Sequence, residues 1–222
     1  MSARLWAVFG SLMSLGFSSV RAEPVTAADR TVVVYLKTGT AAKPGTVSYM
    51  QHELAALMQT AGYKVEWKAP GASSDTENSI AVVELRGSCH APAANASVKP
   101  VEKGASLAST AVDGAQVLPF SWINCETLTE MLAPALANVE PARKDFLYGR
   151  AMGRLLAHEL YHMLANKRGH AASGVGKASF SADDVLSERF SFEHTALAEF
   201  REASATGGST DAAGLEEEDA GR

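Results

Sequence analysis

Residues 146–164 read FLYGRAMGRLLAHELYHML, and this stretch decides the fold expected for the whole chain. Its large apolar side chains recur at spacings of three and four residues, which is typical of an α-helix. The apolar arc is so broad that few residues are left to face water, so we predict a buried helix that begins near Ala142. Gly149 and Gly153 lie one turn apart on this helix, and we expect them to allow close packing against a sheet.

Three ionisable side chains interrupt this apolar helix in the pattern HELYH at 158–162. Buried without partners, such groups would cost several kcal/mol, so the pattern favours a ligand. His158 and His162 are four residues apart and share one helix face, so both imidazoles can hold one Zn²⁺ at about 2.0–2.1 Å. Glu159 follows the first ligand and can accept a proton from a zinc-activated water. The pattern therefore predicts a catalytic zinc site.

A catalytic zinc ion needs a third protein ligand, and His170 is the leading candidate. We expect Gly169 to end the helix and let the chain turn back toward the metal. The alternative is that His170 is a surface residue in a polar loop. In that case Glu188, Glu193 or His194, on the following helix, would complete the site.

The rest of the chain predicts strands and helices in alternation, which indicates an α/β (α+β) fold. Asp113-Gly114 is the dipeptide most typical of a tight hairpin turn, and Gly62 is placed to cap a helix. The predicted elements are strands at Thr31–Lys37, Lys64–Lys68 and Ile80–Leu85, a helix of about four turns that ends at Gly62, a hairpin of Ser106–Val112 with Gln116–Ser121, a helix at Leu128–Leu136 that is broken at Pro134 or ends before Pro141, and a last helix at Ala182–Phe200.

The first 22 residues have the layout of a secretory signal peptide, with an apolar run at Leu5–Phe17 and small residues leading to Ala22. The run has 13 residues, and a membrane span needs roughly 20. We therefore predict cleavage near Ala22 and export to the periplasm or the exterior, with no stable membrane anchor. In an oxidising compartment we expect Cys89 and Cys125 to form a disulfide, the alternative being two buried thiols.

The charge of the chain is unevenly spread. Its 25 acidic and 20 basic residues give a net charge of -5, which provides no positive field for nucleic acid. Residues 203–222 contain the run Glu216–Asp219 and almost no large apolar side chain, so we predict a disordered acidic tail after one domain at 23–202. His52 and His90 are interpreted as surface residues without a special role.

The element order, together with the HExxH sequence at 158–162, resembles the zinc-dependent metzincin peptidases over most of residues 31–200. In that family the third histidine follows the second by six residues, with a glycine midway. Those positions are Arg168 and Ala165 here, and the histidine comes two residues later. The methionine of the family's turn beneath the metal has no counterpart after Met163, and residues 174–178 occupy roughly its place.

The resemblance implies a mixed, twisted sheet of about five strands, with a backing helix, a buried active-site helix and a C-terminal helix. It also implies that the strand Ser106–Val112 forms the sheet edge above the cleft, where an extended peptide substrate could bind. The expected activity is zinc-dependent hydrolysis of peptide bonds with Glu159 as general base. Two alternatives remain open: a non-catalytic, zinc-stabilised peptide-binding module on a peptidase fold, and a cell-wall amide hydrolase.

Overall fold

A computed structural model describes residues 30–38, 42–73, 79–93 and 105–207. The predicted signal peptide and most of the predicted acidic tail lie outside these residues. The elements in chain order are β1 (Arg30–Lys37), α1 (Pro44–Thr60), β2 (Tyr63–Lys68), β3 (Ser79–Arg86), β4 (Ala108–Asp113), β5 (Gln116–Asn124), α2 (Cys125–Leu136), α3 (Pro141–Leu164), a 3₁₀ turn (Gly174–Gly176), α4 (Ala182–Leu186) and α5 (His194–Gly207).

The five strands form one mixed sheet in the order β2-β1-β3-β5-β4. Strand β1 pairs in parallel with β2 and β3, and β3 pairs in parallel with β5. Strand β4 runs antiparallel to β5 as the outer arm of the hairpin at Asp113-Gly114. The mixed α/β (α+β) fold is confirmed, with five strands among the described residues, and β4 is an edge strand of this described sheet, as expected.

Helices α1 and α3 pack against each other, and their contact depends on two glycines. A Cβ atom on Gly149 would lie 2.6 Å from the carbonyl oxygen of Thr46, and one on Gly153 would lie 2.6 Å from that of Met50. Both distances are too short for any side chain, so α3 approaches the backbone of α1 directly. The expectation of close packing was right, but the partner is a helix rather than the sheet.

The single helix predicted at Ala182–Phe200 was wrong, because the structure has two helices separated by an irregular segment. The buried guanidinium of Arg154 donates hydrogen bonds to the carbonyl oxygens of Val185 and Ser187 at 2.9 and 2.6 Å. In a continuous helix these carbonyls would accept from residues four positions later. Here they accept from Arg154 instead. Nε of Arg154 also lies 2.7 Å from the carboxylate of Glu53 on α1, which holds the guanidinium in place.

Helix α2 ends at Leu136, as predicted, but it begins before Leu128, and helix α5 extends beyond the predicted end at Phe200. Helix α2 begins at Cys125, where Asn124 accepts from the Thr127 amide as N-cap, and it continues past Pro134. Helix α5 extends to Gly207, so the first five residues of the predicted disordered tail are helical.

The predicted disulfide is confirmed: Cys89, after β3, is bonded to Cys125, with 4.9 Å between their Cα atoms. Among the described residues no helix is long and apolar enough to cross a membrane.

Candidate metal centre

Helix α3 ends in a Schellman motif that depends on Asn166 rather than on Gly169. Asn166 adopts the left-handed conformation, with φ of 48°, directly after the cap residue Ala165. The amide of Asn166 donates to the carbonyl of Met163 at 3.3 Å, and that of Lys167 donates to the carbonyl of His162 at 3.1 Å, as this motif requires. The prediction that Gly169 ends the helix was therefore wrong, since asparagine tolerates this conformation and supplies the reversal first.

The same reversal orients one of the two helical histidines. It carries the backbone of Lys167 back beside α3, where its carbonyl oxygen lies 2.6 Å from Nδ1 of His162. A carbonyl only accepts, so Nδ1 of His162 carries the proton and donates. The remaining ring nitrogen, Nε2, is then left with a free lone pair.

His158 is oriented in the same way by a different segment. Its Nδ1 lies 2.7 Å from the carbonyl oxygen of Val175, in the middle of the 3₁₀ turn, and must also carry the proton. This turn is fixed by Gly174, whose φ is 66° and whose added Cβ would lie 2.5 Å from the carbonyl oxygen of Ser191. The turn occupies the stretch at 174–178 in which the sequence offers no methionine, and here it holds a metal-ligand candidate in place.

The two unprotonated nitrogens face each other: Nε2 of His158 lies 3.1 Å from Nε2 of His162. Burial lowers the pKa of His158 to about 4 and also lowers that of His162, so both rings are neutral near pH 7. Two neutral acceptors repel at this distance unless a cation lies between them. Two nitrogens that share a tetrahedral Zn²⁺ at about 2.0–2.1 Å are about 3.3 Å apart, so the donor set fits such an ion.

His170 completes the group. Its ring stacks on His158 with 5.4 Å between centroids, and it meets His162 edge-on at 4.9 Å. The ligand atoms of the three histidines lie within 4.8 Å of one another, so together they could hold a metal ion, with two members buried and His170 exposed.

The alternative third ligands lie elsewhere. Among the described residues, the three histidines are the one set of three or more histidine, cysteine or acidic side chains that converges in this way. The side chain of Glu188 is 82% exposed and lies 3.9 Å from Arg150. Glu193 and His194, at the start of α5, do not join the group either.

Glu159 lies one residue beyond the first histidine and is almost fully buried, with 3% of its surface exposed. Its carboxylate accepts a hydrogen bond from the hydroxyl of Thr110, on β4, at 2.5 Å. Burial raises the pKa of Glu159 to about 7, and the bond from Thr110 opposes this shift. A carboxyl group with a pKa near neutrality can both accept and release a proton, as a general base and acid must.

The histidines and Glu159 lie at the junction of two open cavities between β4, α3 and the segment after the 3₁₀ turn. One cavity, of about 450 Å³, extends past Leu107, Met131 and Phe180. The other, of about 360 Å³, extends past Lys167 and Arg168 and contains all three histidines. His158 and Glu159 line both, so a ligand that spans the junction passes directly over them.

The sequence predicted the two helical histidines, Glu159 and His170, but not the residues that orient them. Thr110, Asn166 and Val175 are not part of any motif. A signal existed only for Asn166, because asparagine is, after glycine, the residue that most readily caps a helix in this way. No protein-family model matches the chain, and no curated protein matches it in sequence.

Proposed function

We propose that the chain is an exported zinc-dependent metallopeptidase, related in architecture to the metzincins. The observation that carries this proposal is the pair of imidazole nitrogens, 3.1 Å apart and both unprotonated, beside a buried carboxylate. Buried histidines that served only packing would face a donor rather than another lone pair. A purely structural zinc site would in addition have no use for Glu159.

His158, His162 and His170 would hold the ion, leaving the open position that catalytic zinc sites keep. A zinc ion bound there would lower the pKa of a water molecule and polarise the carbonyl group of a peptide bond. Glu159 accepts the proton of the attacking water and delivers it to the amine that leaves, and Thr110 holds the carboxylate in position for both steps.

The edge strand β4 supplies a means of holding the peptide. Within the described part of the sheet β4 is paired on one side only, with β5, and Thr110 on this strand reaches Glu159. An extended peptide can add to such an edge through backbone hydrogen bonds, and a peptide bound in this way would bring its scissile bond over the histidines. Substrates are therefore expected to be unfolded peptides or exposed loops of proteins.

Export is supported by the disulfide between Cys89 and Cys125, because such bonds persist in oxidising compartments and are rare in the cytosol. Export also accords with the signal-peptide pattern of the first 22 residues.

The decisive experiment combines zinc analysis with peptide hydrolysis by the purified mature chain. We expect about one zinc ion per chain and cleavage of a library of quenched fluorescent peptides. Glu159→Gln should keep the zinc and lose at least about 1,000-fold in kcat/KM, in line with the loss of a general base and its charge. Glu66→Gln, on the opposite edge strand β2, is the matched control and should behave as the wild type.

Two results would contradict the proposal. Wild-type protein that binds zinc but cleaves no peptide would indicate a binding module, or an amide hydrolase if cell-wall fragments were cleaved instead. Hydrolysis that survived Glu159→Gln would exclude the proposed general base.

A further inference from the structure

The two cavities that meet at Glu159 differ in charge. The cavity of about 450 Å³ is lined by uncharged side chains apart from Glu159 itself. The cavity of about 360 Å³ has two cations in its wall, Lys167 and Arg168, and again no carboxylate other than Glu159. In a chain with a net charge of -5, this concentration of positive charge beside the histidines is distinctive.

The two cationic side chains differ in how much of their charge and how many of their hydrogen-bond donors are already paired within the protein. Nζ of Lys167 lies 3.6 Å from the carboxylate of Glu199 on α5. Arg168 forms no ion pair with any of the described residues, and its guanidinium donates one hydrogen bond, to the carbonyl oxygen of Gly114 at 3.0 Å. A guanidinium has five N–H donors, so most of those on Arg168 are available to a ligand.

The bond to Gly114 also fixes where this guanidinium lies. Gly114 is in the turn of the hairpin between β4 and β5, so Arg168 reaches from the segment after α3 to the end of the edge strand. A side chain anchored in this way loses less conformational entropy when it binds a ligand. Its planar donor fork matches the two oxygens of a carboxylate.

We propose that this cationic side of the cleft selects substrates with a carboxylate, so that the preferred substrate is a peptide with an acidic group on one side of the scissile bond. Arg168 is the specificity-determining residue, because the ammonium group of Lys167 is already paired with Glu199. This inference rests on the proposed peptidase function and adds the substrate class to it. The uncharged cavity on the other side gives no comparable preference for charge.

The test uses N-acetylated, C-terminally amidated peptides in pairs that differ only by Glu or Gln, with the variable position moved along each side of the central residue. Binding to zinc-loaded Glu159→Gln protein is measured by fluorescence anisotropy, and hydrolysis is measured with the wild type. A third set contains the Gln peptides with free C-terminal carboxylates, which separates recognition of a side chain from recognition of a chain end.

We expect the carboxylate to strengthen binding by about 10-fold or more, on one side of the bond only, as for a hydrogen-bonded charge pair. Arg168→Gln should abolish the preference, Arg168→Lys should retain part of it, and Arg143→Gln, an exposed change in the first turn of α3, should leave it intact. Raising the ionic strength should weaken the preference in the wild type, which tests the charge without any substitution.

Equal binding of Glu and Gln peptides at every position would overturn the inference, and so would a preference that persists in Arg168→Gln protein with normal zinc content. Cleavage without an acidic preference leaves the peptidase function standing and removes this inference alone. Binding that depends on the carboxylate but leads to no cleavage supports the cationic subsite and removes the peptidase function.

Discussion

The hydroxyl of Thr110 on edge strand β4 donates a hydrogen bond of 2.5 Å to the carboxylate of Glu159 on helix α3. The two residues are 49 positions apart, and this bond joins the strand expected to receive substrate to the proposed general base. Because a carboxylate with an adjacent donor has fewer accessible orientations, we assign Thr110 a positioning role for the proposed general base.

Replacing Thr110 by valine keeps the shape of the side chain and removes the hydroxyl. We expect kcat/KM to fall by about 10-fold or more, the loss that accompanies one hydrogen bond to a charged group. Thr110→Ser should restore most of the activity, which a merely structural effect on β4 would not explain. Equal kinetics of the valine variant and the wild type would exclude the positioning role.

His170→Ala should weaken zinc binding, measured by competition with a chromophoric chelator. Loss of an outer-shell partner costs about 10–100-fold in metal affinity, so loss of a ligand should exceed about 100-fold. His52→Ala, an exposed change on α1, is the control. Unchanged affinity in the His170 variant would show that only two histidines hold the ion.

Asn166→Ala should destabilise the protein by about 1–2 kcal/mol, because alanine resists the left-handed conformation found at this position. Asn166→Gly should cost less, since glycine adopts this conformation freely and loses only the 3.3 Å bond that the side chain accepts from the Val117 amide. Urea unfolding of the two variants gives the comparison. If alanine proved as stable as glycine, the conformation at 166 would not matter.

Asp184 gives a pH-dependent contribution to stability that does not involve the candidate metal centre. The ammonium group of Lys177 and the capping-box bonds from Ser181 lower the pKa of Asp184 to about 2, from an ordinary value of 3.8. Its contribution is therefore complete above about pH 4 and is lost as the pH falls through about 2.

Asp184→Asn should accordingly be less stable than the wild type at pH 6, by less than about 1 kcal/mol, and this difference should shrink as the pH falls toward 2 and vanish below it. Asp183→Asn, one residue earlier and exposed, is the control. A difference that stayed constant between pH 6 and pH 2 would show that charge is not its cause.

Features that depend on residues close together in the sequence were easier to predict than features that depend on distant residues. His158, Glu159 and His162 could be predicted because helix periodicity alone places the two histidines on one face and Glu159 next to the first of them. The hairpin could also be predicted, because the adjacent residues Asp113 and Gly114 define its turn.

Apart from the local helix end at Asn166, what the sequence did not predict depends on partners distant along the chain. Thr110 meets Glu159 only because β4 is the edge strand beside α3, and no local pattern expresses that placement. The break after α4 has the same origin, because Arg154 accounts for it from 31 and 33 residues away. The periodicity of a segment indicates only that segment's own preference for helix or strand. Hydrogen bonds from a buried guanidinium elsewhere in the chain can override this preference.

The disulfide between Cys89 and Cys125 closes a covalent ring that contains both arms of the hairpin, and with them Thr110 and Gly114. A single backbone cut anywhere inside this ring cannot separate the chain into two pieces. The edge strand β4 and helix α3 would stay tethered to each other after such a cut by a protease. Nicked protein would migrate as one species until it was reduced, and only then as two fragments.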